Sequence, residues 1–197
     1  MSVELDPRVA RTREVVLAAT VGLLTECGFE RIGIDAIAER SGVARSTIYR
    51  NWPDRAQLLA DAFRRLHEHE DPPVSCGDLR DDLEAMARML VAKLTSDDWA
   101  RTVPSMIGAA IHDEAISSLA ASFSCERRLT ATAMVALAIE RGEISRPDQL
   151  DSALERFVAP FFVRRLLSQE PLDDAFVQAQ ITATLEQLGA AGEAPTG

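Results

Sequence analysis

Only one of the 21 basic residues is a lysine, Lys93, and only one residue is a tyrosine, Tyr49. With lysine nearly absent, the planar guanidinium of arginine is the group available for any anion contact. The three cysteines, Cys27, Cys76 and Cys125, are odd in number and widely spaced. That spacing excludes a disulfide framework and paired zinc ligands, and it points to a reducing compartment. No stretch reaches membrane-spanning length free of charge, and the opening MSVELDPRVARTREVV carries acids and arginines where a secretory signal places its apolar run. These absences predict a soluble, cytoplasmic protein with no membrane partner. No phosphate loop or dinucleotide fingerprint occurs, so no cofactor is expected.

What is present suits a globular chain of 197 residues, with 47% apolar and 26% charged residues, long enough to bury a substantial core. The net charge of −10 argues against a nucleic-acid partner when taken as a sum. Its distribution argues otherwise. Residues 1 to 70 carry ten arginines against eleven acids, a net of −1, which leaves −9 for the remainder. The acid load therefore sits downstream of a nearly neutral head.

Apolar residues recur at helical spacing in every long segment, and no alternating β-branched run suggests a strand, so the fold is expected to be all-α. The first helix is read from about Pro7 to Cys27 and stops at Gly28. Short helices follow at about Ile34 to Ser41 and about Arg45 to Trp52, separated by Gly42 and Val43. Pro53 ends the second of these, and Asp54 with Gln57 forms a capping box for the next. The segment DPPVSCG, Asp71 to Gly77, concentrates turn residues and marks a boundary between an N-terminal domain, 1–70, and a C-terminal domain, 71–197. Downstream, Leu79, Leu83, Met86 and Leu90 trace one helical face. Ser96, Asp97 and Asp98 offer caps for a helix that Pro104 should kink, and a long helix spans about Asp113 to Arg141. Two final helices lie in RPDQLDSALERFVAPFFVRRLL and PLDDAFVQAQITATLEQLG, and the tail AAGEAPTG lacks periodicity.

The segment IDAIAERSGVARSTIYRNW has the parts of a helix-turn-helix: a support helix, a glycine turn and a second helix with a polar outer face. Ile37, Val43 and Ile48 would bury the inner faces. Arg45, Ser46, Thr47, Tyr49, Arg50 and Asn51 are left for the outside, the short hydroxyls suiting base edges and the phenol a phosphate. Arg45, Arg50 and Arg55 would supply charge-assisted contacts, and the helix opening after Pro53 would offer N–H groups to a phosphate. The competing reading is an ordinary αα corner with a solvated face.

The string GFERIGIDAIAERSGVARSTIYRNWPDRAQLLADAF resembles the DNA-binding domain of the tetracycline-repressor (TetR) family over roughly residues 8 to 66. The resemblance implies an all-helical subunit of about nine helices: a three-helix DNA-binding domain and a C-terminal lobe that holds an effector and dimerises through the last two helices. RGEI, VAPFFVRRLL and EPLDDAFV are similar to one common type of that lobe. Three positions depart from the family pattern. Gly33 and Ala44 stand where capping hydroxyls are common, and Asn51 stands where histidine is frequent.

In the C-terminal lobe, Met86, Met89, Leu90, Trp99, Met106, Ile107, Phe123 and Phe161 are candidates to line a pocket for a small, largely apolar effector, the plainer alternative being simple core. Leu154, Phe157, Val158 and Phe161 form one stripe and Val177, Ile181, Leu185 and Leu188 another. These are the candidate homodimer surfaces, since a two-fold operator requires a two-fold protein. The HEHE run from His67 to Glu70 invites a metal reading, but residues two apart do not share a helical face, and a solvated helix end is expected instead. Cys125 and His112 have no evident third partner for nucleophilic chemistry, so neither an enzyme nor a metal site is expected. The expectation is a sequence-specific regulator, a repressor released from double-stranded operator DNA by its effector. The alternative is a helical ligand carrier or interaction protein with a vestigial helix-turn-helix.

Overall fold

The computed structural model describes residues 7–67, 77–145 and 150–189, and among these there is no strand. The helices are α1 (Pro7–Cys27), α2 (Ile34–Ser41), α3 (Arg45–Asn51), α4 (Arg55–His67), α5 (Leu79–Thr95), α6 (Asp97–Ala110), α7 (Glu114–Glu140), α8 (Leu150–Phe162) and α9 (Asp174–Leu188). The fold is all-α, as periodicity implies. The expected boundary segment from Asp71 to Cys76 and the tail from Ala190 lie outside the described residues.

The chain divides into two compact units. One takes α1 to α4 together with Asp97–Ser122, and the other takes α5, the rest of α7, α8 and α9. In the first unit α1 packs against α4, α2 and α6, and α2 packs against α3. Val16, Leu24, Phe29, Ile37, Ile48, Leu58, Leu59 and Phe63 are wholly or almost wholly buried there. At about 25 cal/mol per Å² of apolar surface removed from water, this core is the main support of three helices of which two are only seven and eight residues long. Gly28 ends α1 with φ +69, and a Cβ there would lie 2.8 Å from the Cβ of Ser105 on α6. The left-handed turn and the close approach both require glycine.

In the second unit α9 packs on α5 and α8. Asp78 caps α5 by accepting from the Asp81 amide at 2.9 Å, and Asp173 caps α9 through the Phe176 amide at 2.9 Å. The RGEI string closes α7 onto the start of α5. Arg141 donates to Glu143 and to the buried Asp82 (3.2 Å), and Glu143 in turn accepts from the Leu79 amide at 2.6 Å. The hydrogen bonds it donates to Glu143 and Asp82 hold the Arg141 guanidinium protonated beyond its usual range. The sequence suggests one uninterrupted helix through VAPFFVRRLL. Instead α8 ends at Phe162, two residues past Pro160, and a π-helical turn spans Val163–Leu167. Proline removes a ladder donor inside a helix, which favours such a widening nearby.

Candidate nucleic-acid interface

Helix α3 is too short to be stable by itself, so its position depends on what grips it. Ile48 is fully buried and Trp52, immediately after the helix, is 2% exposed. The Trp52 indole donates to Asp61 Oδ2 on α4 at 2.8 Å. Arg13 of α1 lies over the same indole, 4.4 Å from the ring centroid, and donates to Asp61 (3.2 Å) and to the Asn51 carbonyl (3.1 Å). Arg64 takes the other Asp61 oxygen at 2.9 Å. This group clamps the C-terminal end of α3 between α1 and α4, and neither Arg13 nor Asp61 was a sequence candidate. Their partners lie 38 and 9 residues away, beyond the reach of local spacing.

The turn before α3 follows from Gly42, whose φ of +68 brings its amide to the Ala38 carbonyl at 3.0 Å. Neither Gly33 nor Ala44, the N-cap residues of α2 and α3, provides a side-chain cap. Acidic Asp35 in the first turn of α2 partly compensates, because negative charge is favourable there. Arg40 on α2 makes a two-pronged pair with Glu26 on α1, both bonds 2.7 Å, and these bonds hold the Glu26 carboxyl below its usual range.

With the inner face fixed, Arg45, Ser46, Tyr49 and Arg50 stand exposed on the outer face, Tyr49 at 51%. Thr47 and Asn51 are half-buried, and the Asn51 amide is turned back onto the Thr47 carbonyl at 2.9 Å. Arg45 pairs through Nε with Asp35 at 2.7 Å. The helix therefore presents two guanidinium groups, a phenol and a small hydroxyl on a rigid support.

Two expectations for this surface meet internal partners instead. Arg55 donates to the carbonyls of Phe29 (2.5 Å) and Ile32 (2.6 Å) and pairs with Asp113 at 3.3 Å, so its donors serve the loop before α2 and the cap of α7. At the start of α4 the Gln57 amide is already satisfied by Asp54 at 2.8 Å, which places a carboxylate where a phosphate was expected.

Two family models match the chain. The bacterial regulatory proteins, tetR family, cover residues 16–62, and the tetracyclin repressor-like C-terminal domain covers residues 73–184. The chain belongs to the TetR family of transcriptional regulators. It is 31% identical to the DNA-binding transcriptional repressor TetR of Mycobacteroides abscessus, over 82% of this chain and 85% of that protein. It is 29% identical to the HTH-type transcriptional regulator YdeS of Bacillus subtilis, over 87% of each. The crystal structure of the TetR family transcription regulator SCO0332 superposes with a TM-score of 0.71 at 29% identity, covering 90% of this chain and 98% of that one. This TetR-family chain is thus a DNA-binding transcriptional regulator, and its helix-turn-helix is the element described above.

The residues expected to line an effector pocket fall in both compact units. Trp99, Met106 and Ile107 belong to α6 in the first compact unit, where Trp99 and Met106 are buried and Ile107 is 48% exposed. Met86, Leu90 and Phe161 are buried in the second unit, with Met89 and Phe123 half-buried. His67, expected in solvent, is 3% exposed at the end of α4, its ring 4.4 Å from Phe63 and 5.7 Å from Trp99. The rest of the HEHE run and Cys76 lie outside the described residues.

The stripes expected at a dimer surface face inward. Leu154, Phe157, Phe161, Val177, Ile181 and Leu188 are buried within the protomer, and only Val158 and Leu185 are half-exposed. These stripes are the faces along which α8 and α9 pack in their own unit, Phe161 lying 5.6 Å from Phe157 and 5.1 Å from Phe176. Periodicity identifies a buried face without saying whether the same chain or a second one buries it.

Proposed function

We propose that this TetR-family regulator acts as a homodimer that sets α3 of each subunit into successive major grooves of a pseudo-palindromic operator, repressing by occlusion and released by a small effector. The observation that carries the DNA surface is the exposed row Arg45, Ser46, Tyr49 and Arg50 on a helix whose inner face is locked by Ile48 and Trp52. Thr47 and Asn51 stand at its edge, and Arg55 supports it from behind. Dimerisation is supported by family membership and by the free faces of the last two helices. Ala159 on α8 and Ala175, Ala179 and Ala183 on α9 are exposed, and small side chains allow close approach of a partner helix.

The effector reading rests on family membership and on the apolar lining candidates Met86, Leu90 and Phe161, which favour a largely apolar ligand. Such a ligand can release DNA only through unequal affinity for the DNA-competent and incompetent conformers. No helix among the described residues is long and apolar enough to cross a membrane, which accords with a cytoplasmic regulator. The test is binding at moderate salt to the intergenic duplex beside the protein's own gene. Preference over random duplex is expected, and equal affinity for both overturns the proposal. A hydrophobic ligand panel tests the effector part: a raised thermal midpoint together with DNA release is expected, and a flat panel refutes it.

A further inference from the structure

Arg45 opens the recognition helix, and residues at the start of such a helix are the ones that reach base edges. Its guanidinium is not isolated. The Nε atom sits 2.7 Å from Oδ1 of Asp35, and both side chains stand in solvent, 64% and 70% exposed. We infer that Arg45, held by Asp35, reads one guanine in each operator half-site; the inference rests on the DNA-binding mode proposed above.

Three physical arguments converge on that base. First, a planar guanidinium has an edge made of Nε and one Nη and another made of the two Nη groups. The Asp35 carboxylate lies on the Nε side as an ion pair and crowds that edge, which leaves the two-Nη edge, with two parallel donors, as the open one. Among the bases in the major groove only guanine presents two acceptors side by side, O6 and N7. Adenine sets a donor beside its N7, cytosine offers a donor and thymine a single acceptor.

Second, the pair discourages the other natural target of an arginine. A phosphate approaching Arg45 also approaches the Asp35 carboxylate, and like charges repel, whereas a base edge is neutral. Third, the ion pair restricts the rotamers of a long side chain before DNA arrives, which lowers the ordering cost of a two-bond contact. Asp35 also lies in the first turn of α2, whose Gly33 cap has no side chain, so a purely local role for it has to be separated experimentally.

The test is selection of operator sequences from a randomised duplex library by the full-length protein, followed by competition binding on the selected site. Wild type should enrich a two-fold related site with one symmetric pair of guanines that Arg45→Ala no longer selects. Discrimination at that position should fall about 5- to 150-fold, the equivalent of ~1–3 kcal/mol, with other positions unchanged. Arg45→Lys keeps the charge and donors that still reach O6 and N7 but not the planar fork, so affinity should largely persist while the guanine preference weakens. Asp35→Ala should weaken the preference and raise affinity for random duplex.

Enrichment of the same bases by wild type and Arg45→Ala overturns the guanine assignment alone. A lowered thermal midpoint in Asp35→Ala with an unchanged base preference overturns the role given to Asp35. A wild-type selection that enriches no sequence overturns the proposed DNA-binding mode and this inference with it.

Discussion

The indole of Trp52 donates to the carboxylate of Asp61 at 2.8 Å, tying the end of the recognition helix to α4. Asp61 also receives Arg13 and Arg64, so one carboxylate satisfies three donors. Asp61→Ala leaves a buried indole N–H and a stacked guanidinium without their acceptor. A loss of ~1–3 kcal/mol of stability is expected, larger than the loss in Asp61→Asn, whose amide oxygen still accepts from Trp52. Denaturant midpoints of the two variants check the order. Operator affinity should fall with Asp61→Ala even where the protein remains folded, because α3 loses its anchor.

Arg55 and Arg50 are separable by salt. Arg50 is exposed, whereas Arg55 serves the carbonyls of Phe29 and Ile32. Arg50→Ala should reduce the salt dependence of DNA binding by roughly one phosphate contact, with little change in thermal midpoint. Arg55→Ala should lower the midpoint and leave the salt slope unchanged. The reverse pattern, measured by DNA titration at several salt concentrations, would place Arg55 on the phosphate backbone.

These two arginines show where sequence reasoning reaches its limit. Helix extents, the Gly42 turn and the Asp54 cap follow from neighbours within a few residues, and α1 and α2 lie where their approximate bounds place them. Arg55 looks the same as Arg50 in sequence, and only the approach of residues 23 and 26 positions earlier decides that it faces inward. For the same reason Phe157 and Ile181 could be read as apolar stripes but not assigned to the protomer's own core. Asp35, an ordinary first-turn acid by position, gains its partner from the geometry of the Gly42 turn.

The missing cap at α3 offers a gain. Ala44 is exposed and has φ −60 and ψ 141, a conformation that suits a capping serine. Ala44→Ser should add ~1 kcal/mol, from a range of roughly 0.5–2. In a chain of this size that is a rise of about 2–4 °C in thermal midpoint. A scanning calorimetry trace without a rise would mean that the hydroxyl does not reach the α3 amides.

The Glu26–Arg40 pair gives stability a defined dependence on pH. Hydrogen bonds from Arg40 depress the folded-state carboxyl, so the pair's contribution is fully present above the unfolded carboxylate value of about 4.3 and is lost as pH falls through the lower folded value. Glu26→Gln should therefore lower the thermal midpoint near neutral pH, with the difference from wild type closing under acid. A difference that is constant across that range would assign the effect to packing and not to charge.

The last two helices can be tested on both of their faces. Phe157 is fully buried and Ala179 is exposed. Phe157→Ala should cost ~3–5 kcal/mol of protomer stability through the cavity it leaves, so a loss of dimer in that variant reports unfolding and not a broken interface. Ala179→Arg should leave the helical signal and the protomer core intact. It should nevertheless yield a monomer in sedimentation, because a long charged side chain cannot be accommodated where two helices meet closely. Loss of operator binding should accompany it, since one reading head alone spans only half of a two-fold site. An Ala179→Arg dimer with unchanged sedimentation would move the proposed interface off this face of α9.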